Sequence, residues 1–264
     1  MLFCAFVALM FLAGLGQATT TGDEDTATGF ELKGLPYTFD ALEPAIDAQT
    51  MELHWGRHHR AYTDNMNTAL ATIASSSEVS SKLRGSATNA LKTKNLKKLE
   101  ETIRLAVQEE PLAPILVRPV LKSLRNNGGG YLNHNQYWEN LSPSSDKATT
   151  MAGSTDLENE LIKTFGTLEN FENVFVQQGL AVFGSGWVWL AYHTKSNQLQ
   201  IASSPNQDRL EEGLQVIVAC DVWEHAYYLK RQNVRVEYLK AFFTVLDWKQ
   251  ANARFVQAKS SALN

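Results

Sequence analysis

Apolar residues follow two different patterns along this chain, and the change from one to the other divides it. From residue 44 to 72 they fall near the 3.6-residue spacing of an amphipathic helix, at Leu53, Tyr62, Met66 and Leu70, with Thr50 placed to cap it. A polar stretch at 75–81 interrupts the pattern. Residues 87–107 resume it as one or two charged helices, with Leu91, Leu96, Leu99, Ile103 and Leu105 apolar. Pro111, Pro114 and Pro119 then break the run. A helix from about residue 120 is predicted to stop at Gly128, Gly129 and Gly130, and a separate one to carry 133–141.

Beyond a polar, proline-containing stretch at 142–146, the best candidate linker, residues 157–178 read as helix. The spacing then gives way to a short continuous apolar run. Trp187, Trp189 and Ala191 alternate with Val188, Leu190 and Tyr192, so the segment 186–193 is apolar on both faces. A turn at 195–198 and the returning stretch 199–203 complete a hairpin buried on both sides. The Val- and Ile-rich run 214–221 is a third strand, and 238–259 closes the chain with helix. The pattern is an all-helical half followed by a helix–strand–strand–strand–helix half.

The chain has 264 residues, 44% of them apolar and 20% charged, with a formal net charge of -4. That is enough apolar mass for one large or two modest domains. A slight acidic excess argues against a nucleic-acid binder, which needs a clustered basic face; the Lys and Arg residues near 92–98 read as a solvated helix face. Residues 2–16 are almost unbroken apolar sequence, followed by the small residues Gly16 and Ala18. This predicts a secretory signal peptide over 1–18, hence a secreted or secretory-pathway protein with no membrane segment after cleavage. The run is short for a membrane span, which needs about 20 residues. It lacks a Lys or Arg before it, so an uncleaved anchor or an organelle-directing presequence remains the alternative; the acidic Asp23, Glu24 and Asp25 speak against a mitochondrial or plastid one. Removal of Cys4 with the signal leaves Cys220 unpaired, and its apolar surroundings predict a buried, inert thiol. Asn140-Leu141-Ser142 is a glycosylation sequon, followed by an unfavourable Pro143.

Candidate chemistry gathers around histidine. Of six histidines, five fall in three neighbourhoods. His54 and His58 stand four apart on a predicted helix and share a face, with His59 pointing elsewhere. His134 follows the glycines, and Asp221 and His225 are again four apart. His193 stands alone on a strand and reads as a surface residue. Imidazoles with a carboxylate suit a divalent first-row metal such as Mn, Fe or Zn, and the lack of thiolates points away from structural zinc. Each pair alone is more often a solvated or satisfied core pair than a metal site, and spacing leaves both His54 and His58 open as ligands.

Four sequence blocks narrow the choice. Leu35-Pro36-Tyr37 and Ala41-Leu42-Glu43-Pro44 precede Thr50-Met51-Glu52-Leu53-His54-Trp55-Gly56-Arg57-His58-His59-Arg60-Ala61-Tyr62. Gly128-Gly129-Gly130-Tyr131-Leu132-Asn133-His134-Asn135-Gln136-Tyr137-Trp138 comes next. Gly184-Ser185-Gly186-Trp187-Val188-Trp189-Leu190 and Asp221-Val222-Trp223-Glu224-His225-Ala226-Tyr227-Tyr228 follow. In this order they resemble the signature blocks of the iron/manganese superoxide dismutases and cover most of residues 30–250.

The resemblance implies an α+β fold: an N-terminal helical hairpin domain over 30–142, then a C-terminal domain over 143–264 with a three-stranded antiparallel sheet flanked by helices. It implies conversion of superoxide to dioxygen and hydrogen peroxide by redox cycling of one metal ion held by His54, His134, Asp221 and His225. Tyr62 matches the gateway tyrosine and His58 the histidine beside it; Trp187 and Trp223 match pocket walls. Arg235 matches a basic residue at the rim, where a cation raises the encounter rate of a small anion. Glu224, Tyr228 and His58 match contacts across the interface of a homodimer or homotetramer.

Two markers favour manganese, with iron or dual use the alternative. The family's solvent-binding glutamine falls at Gln207, and the position iron enzymes use for it is Gly130; Tyr137, more usual in iron enzymes, pulls the other way. His58 and His134 stand 76 positions apart, more than the family usually shows, so an insertion around 75–110 is expected. Arg231 and Val236 replace the usual tyrosine and proline. Rival readings are a non-haem iron oxygenase, which uses two histidines and one carboxylate, and a secreted metal-binding module without activity.

Overall fold

The computed structural model describes residues 29–143 and 155–262. The predicted signal, Cys4 and most of the predicted linker lie outside them. Helix α1 (Ala48–Leu53) starts where Asp47, rather than the predicted Thr50, caps it: the Asp47 carboxylate accepts the Thr50 N–H at 2.8 Å and its hydroxyl at 2.6 Å. One π-helical turn (His54–His59) joins α1 to α2 (Arg60–Ser75) without a break. The wider turn brings both His54 and His59 into the interior, at 1% and 0% exposure, so His59 does not face solvent. Helices α3 (Ser81–Thr93) and α4 (Leu96–Glu109) are capped by Ser80 and Asn95 and fold back on α2 and on α5 (Arg118–Glu139).

The predicted stop at the three glycines is overturned. Helix α5 runs straight through them, with Pro119 in its first turn, so His134 lies well inside a 22-residue helix. Three other elements press onto α5 there. A Cβ at Gly128 would lie 2.7 Å from Ile103, at Gly129 2.1 Å from the Gln207 carbonyl oxygen, and at Gly130 2.6 Å from the Tyr62 ring. Each glycine costs the helix about 1 kcal/mol of propensity; close packing of a site-bearing helix offsets that cost.

In the second half, the predicted single helix is two, α6 (Asp156–Phe165) and α7 (Leu168–Ala181), because Gly166 adopts φ +86° between them. Strands β1 (Gly186–His193), β2 (Gln198–Pro205) and β3 (Leu214–Asp221) form one antiparallel sheet in the order β2-β1-β3. The central register sets Trp187 opposite Asp221 on one side and Ser204 on the other. A short α8 (Tyr228–Arg231), α9 (Arg235–Phe242) and α10 (Trp248–Ser261) follow, so the predicted closing helix is also divided.

Two cores result. One, with Met66, Leu70, Leu83, Leu99 and Leu121, lies among the N-terminal helices. The other, with Trp187, Trp189, Phe171, Phe175 and Phe242, surrounds the sheet and also takes in Met51, Tyr137, Trp138 and Leu141. The helices bearing His54 and His134 are therefore anchored in both cores. Cys220 is buried in the second, and burial pushes its thiol well above the ordinary range. Asn140 is fully buried: its amide donates to the Tyr137 and Ala219 carbonyls and accepts the Ala219 N–H.

Candidate metal centre

Four elements, from three stretches far apart in the sequence, meet at the seam between the cores. His54 comes from the π turn, His134 from the middle of α5, Asp221 from the last position of β3, and His225 from the 3-10 turn Glu224–Ala226. One ligand atom from each lies within 4.8 Å of all the others. Asp221 Oδ2 stands 3.1 Å from His54 Nε2, 3.2 Å from His225 Nε2 and 3.6 Å from His134 Nε2. Its other oxygen accepts the Trp223 N–H at 2.8 Å, which fixes the carboxylate plane.

This set fits a metal ion. His134 donates Nδ1–H to the Gly130 carbonyl at 2.7 Å, so Nε2 carries the lone pair. That nitrogen is buried, has no hydrogen-bond partner, and faces the cluster. Three imidazoles and a carboxylate around one point, close to the spacing set by an ion about 2 Å from each, are a donor set for Mn or Fe. Burial lowers His54 to about 4 and His134 well below the ordinary histidine value, keeping both in the neutral form a metal requires. For Asp221, burial works upward, but His225 and His54 outweigh it and hold the carboxyl below the usual range.

Around the cluster, Gln207 Nε2 donates to the Tyr62 hydroxyl at 3.2 Å, while Gln207 Oε1 accepts from Trp187 Nε1 at 2.9 Å. Tyr62 packs beside His134, with ring centroids 5.1 Å apart, and burial raises its phenol against the opposing Gln207 hydrogen bond. Trp187 meets His134 edge-on at 5.2 Å, and Trp223 stacks on His225 at 5.3 Å. His58 stacks on the other side of His225 at 4.3 Å from an exposed position. Glu224 and Tyr228 face solvent just beyond.

Arg235 is engaged with backbone. Its guanidinium donates to the carbonyls of Gly179, Val182 and Gly184 and to the Tyr227 hydroxyl, which pins the loop before β1. His193 lies at the far end of β1, its Nδ1 accepting the Ser196 N–H.

Sequence reasoning passed over three participants. His59 accepts the Trp138 indole N–H at 2.9 Å and stacks on His134 at 5.3 Å; burial lowers it to about 3. Asn133 donates to Gln207, and Arg209 donates to Asn133. Helical spacing offered one signal, since Trp138 stands four residues after His134 and shares its face. Nothing local connects Asn133 to Gln207.

Residues 29–142 match the family model of the iron/manganese superoxide dismutase alpha-hairpin domain, and residues 153–254 match that of the C-terminal domain. The chain is 41% identical over 231 residues to "Superoxide dismutase [Mn]" of Listeria monocytogenes serovar 1/2a (strain ATCC BAA-679 / EGD-e), covering 87% of this chain and 99% of that protein. It is 38% identical over the same length, with the same coverage of each, to "Superoxide dismutase [Mn/Fe] 2" of Staphylococcus aureus (strain bovine RF122 / ET3-1). Two domain models in the right order and two relatives matched over nearly their whole length agree with the donor set at the seam: this chain belongs to the iron/manganese superoxide dismutases.

Proposed function

We propose that this superoxide dismutase works with one manganese ion per subunit, held by His54, His134, Asp221 and His225. The observation that carries the reading is the convergence of those four donor atoms, with His134 Nε2 buried and otherwise unpartnered. When bound, the metal supplies the one-electron couple by which one superoxide is oxidised to dioxygen and the next reduced to peroxide. The protein's own task is to supply two protons for that peroxide and to exclude other reactions. Tyr62 and Gln207 form the chain at whose phenolic oxygen a proton is held, and Trp187 fixes the Gln207 amide at its other end. Trp187 and Trp223 wall the pocket, and His58 stands at its entrance against His225.

The choice of manganese is supported by the origin of the amide. Gln207 already reaches Tyr62, and the Tyr62 ring occupies the space that a side chain at position 130 would need. Iron or dual use is the second reading, favoured by Tyr137 and by the name of the staphylococcal relatives. Purified protein reconstituted with each metal separately, followed by elemental analysis and direct measurement of superoxide decay, tests both. Equal metal content with rapid decay for manganese alone is expected; decay with iron alone would reverse the choice.

A homodimer, or a tetramer built on it, through Glu224, Tyr228 and His58 is part of the same reading. Tyr228 and Leu229 are 49% and 52% exposed beside the site, and Phe183, in the loop that Arg235 pins, is fully exposed. Light scattering of wild type and Glu224→Ala tests it, a monomeric wild type being the contrary result. The apolar run at 2–16 supports entry into the secretory pathway. N-terminal sequencing of protein recovered from the medium would find the start near residue 19, and an intact Met1 would count against it.

A further inference from the structure

We propose that Arg209 is a positioning residue for the Gln207 amide, acting through Asn133 and itself held by Glu100. The inference rests on the assignment of Gln207 and Tyr62 to the proton path. Either end of a side-chain amide can face a neighbour, so a group that can only donate or only accept must settle which does.

Arg209 is such a group, because a guanidinium has donors and no acceptor. Its Nη1 donates to Asn133 Oδ1 at 2.8 Å. With its oxygen so occupied, Asn133 turns its NH₂ to Gln207 and donates to both the backbone carbonyl and Oε1, each at 3.2 Å. Trp187, a second group that can only donate, delivers its indole N–H to the same Oε1. The Gln207 amide therefore has one end left for Tyr62, the donating Nε2. If Asn133 rotated, its oxygen would meet two Gln207 oxygens with no proton between them. If it stayed without Arg209, a buried acceptor would lose its partner. Asn133 and Gln207 are 0% and 2% exposed, so water is a poor substitute for either contact.

The outer end of this chain lies in the N-terminal helices. Glu100 Oε1, on α4, accepts from Arg209 Nε at 3.3 Å and Nη2 at 3.1 Å, and the guanidinium lies 6.0 Å above the Trp189 ring. Both charged side chains line a cavity of about 610 Å³. Helix α4, in the stretch read from sequence as an insertion, thus reaches the loop after β2 and, two residues further in, the site. Arg125 holds the neighbouring Asp208 by two hydrogen bonds of 2.8 and 2.7 Å, so the loop keeps its place without Arg209.

The test compares metal-loaded wild type with Arg209→Met, Arg209→Lys and Glu100→Gln. Arg104→Met is the control, because Arg104 pairs with Glu212 in the same cavity and touches neither amide. Metal content, midpoint potential, visible absorption and turnover are read for each. Arg209→Met is expected to keep its metal, to shift both potential and absorption band, and to lose roughly five- to tenfold in kcat, the effect of about one hydrogen bond. Arg209→Lys, which keeps a donor, restores most of this, Glu100→Gln gives a smaller shift of the same sign, and Arg104→Met changes none of it. If Arg209→Met fails to load metal, Glu100→Gln carries the test.

Wild-type potential, band and kcat in both Arg209→Met and Glu100→Gln, alongside altered values in Gln207→Ala, would overturn the positioning role alone. Wild-type values in Gln207→Ala as well would overturn the proton-path assignment beneath it.

Discussion

The Tyr62 ring rests directly on the bare backbone of Gly130, so closely that a Cβ there would come within 2.6 Å of it. The same residue's carbonyl receives the His134 Nδ1–H at 2.7 Å. Gly130 thus sets both the position of the Tyr62 phenol and the tautomer of His134.

Gly130→Ala pits two effects against each other. Removing a helix glycine favours the fold by up to about 1 kcal/mol, whereas forcing a methyl group against a packed ring costs about 1–3 kcal/mol. Overpacking wins, because Tyr62 is itself held by Gln207. The variant is expected to bind metal, unfold at lower urea concentration and turn over more slowly. Wild-type urea midpoint and turnover would show that Tyr62 yields without consequence.

His134→Ala removes both ring nitrogens and leaves three of the four converging donors. Elemental analysis is expected to find little metal and no activity. His193→Ala, at the far end of β1, should load metal as the wild type does. Stoichiometric metal in His134→Ala would remove that residue from the ligand set.

The pH dependence of the metal-free protein follows from His54. Burial lowers it from its ordinary value of 6.5 to about 4, so between those values the unfolded chain binds a proton that the folded one resists. Stability is complete above pH 6.5 and falls as the pH drops toward 4, by on the order of 3 kcal/mol from this residue. His59, lowered to about 3, extends the fall to lower pH. Urea midpoints of the metal-free protein should decline across this window, less steeply in His54→Gln; parallel slopes for the two proteins would contradict the assignment.

Asn140 predicts an absence of modification. Its amide nitrogen makes two buried hydrogen bonds, to Tyr137 and Ala219, and a glycan there cannot coexist with the α5–β3 contact. Intact mass of protein expressed through a glycosylating secretory host is expected to show no sugar at the sequon, and Asn140→Ala should lower stability by about 1–3 kcal/mol through unsatisfied backbone groups. A glycosylated, active protein would refute both.

Much was legible in the residues themselves. A short, unbroken, aromatic-rich apolar run from 187 to 192, ended by a turn, marked β1 as a strand buried on both faces, and Val-Ile content marked β3. Four signature blocks named the family, since a string such as Asp221-Val222-Trp223-Glu224-His225 carries far more information than the spacing of any histidine pair. What stayed hidden required knowledge of neighbours. Three consecutive glycines read locally as a stop, and only the approach of Ile103, the Gln207 carbonyl and Tyr62 turns them into packing positions inside a helix. His59 read only as lying off the face shared by His54 and His58, and the π turn that buries it beside Trp138 is not visible in local spacing.

The sequence by itself determined the order of helical and extended segments, because backbone preference is a property of residues, and its four blocks marked which residues match the family's donors. The convergence of His54, His134, Asp221 and His225, and the orientation of Gln207 by Asn133 and Arg209, were decided only in three dimensions. Hydrogen-bond direction and donor spacing depend on atoms up to 167 positions apart, and no local pattern encodes them.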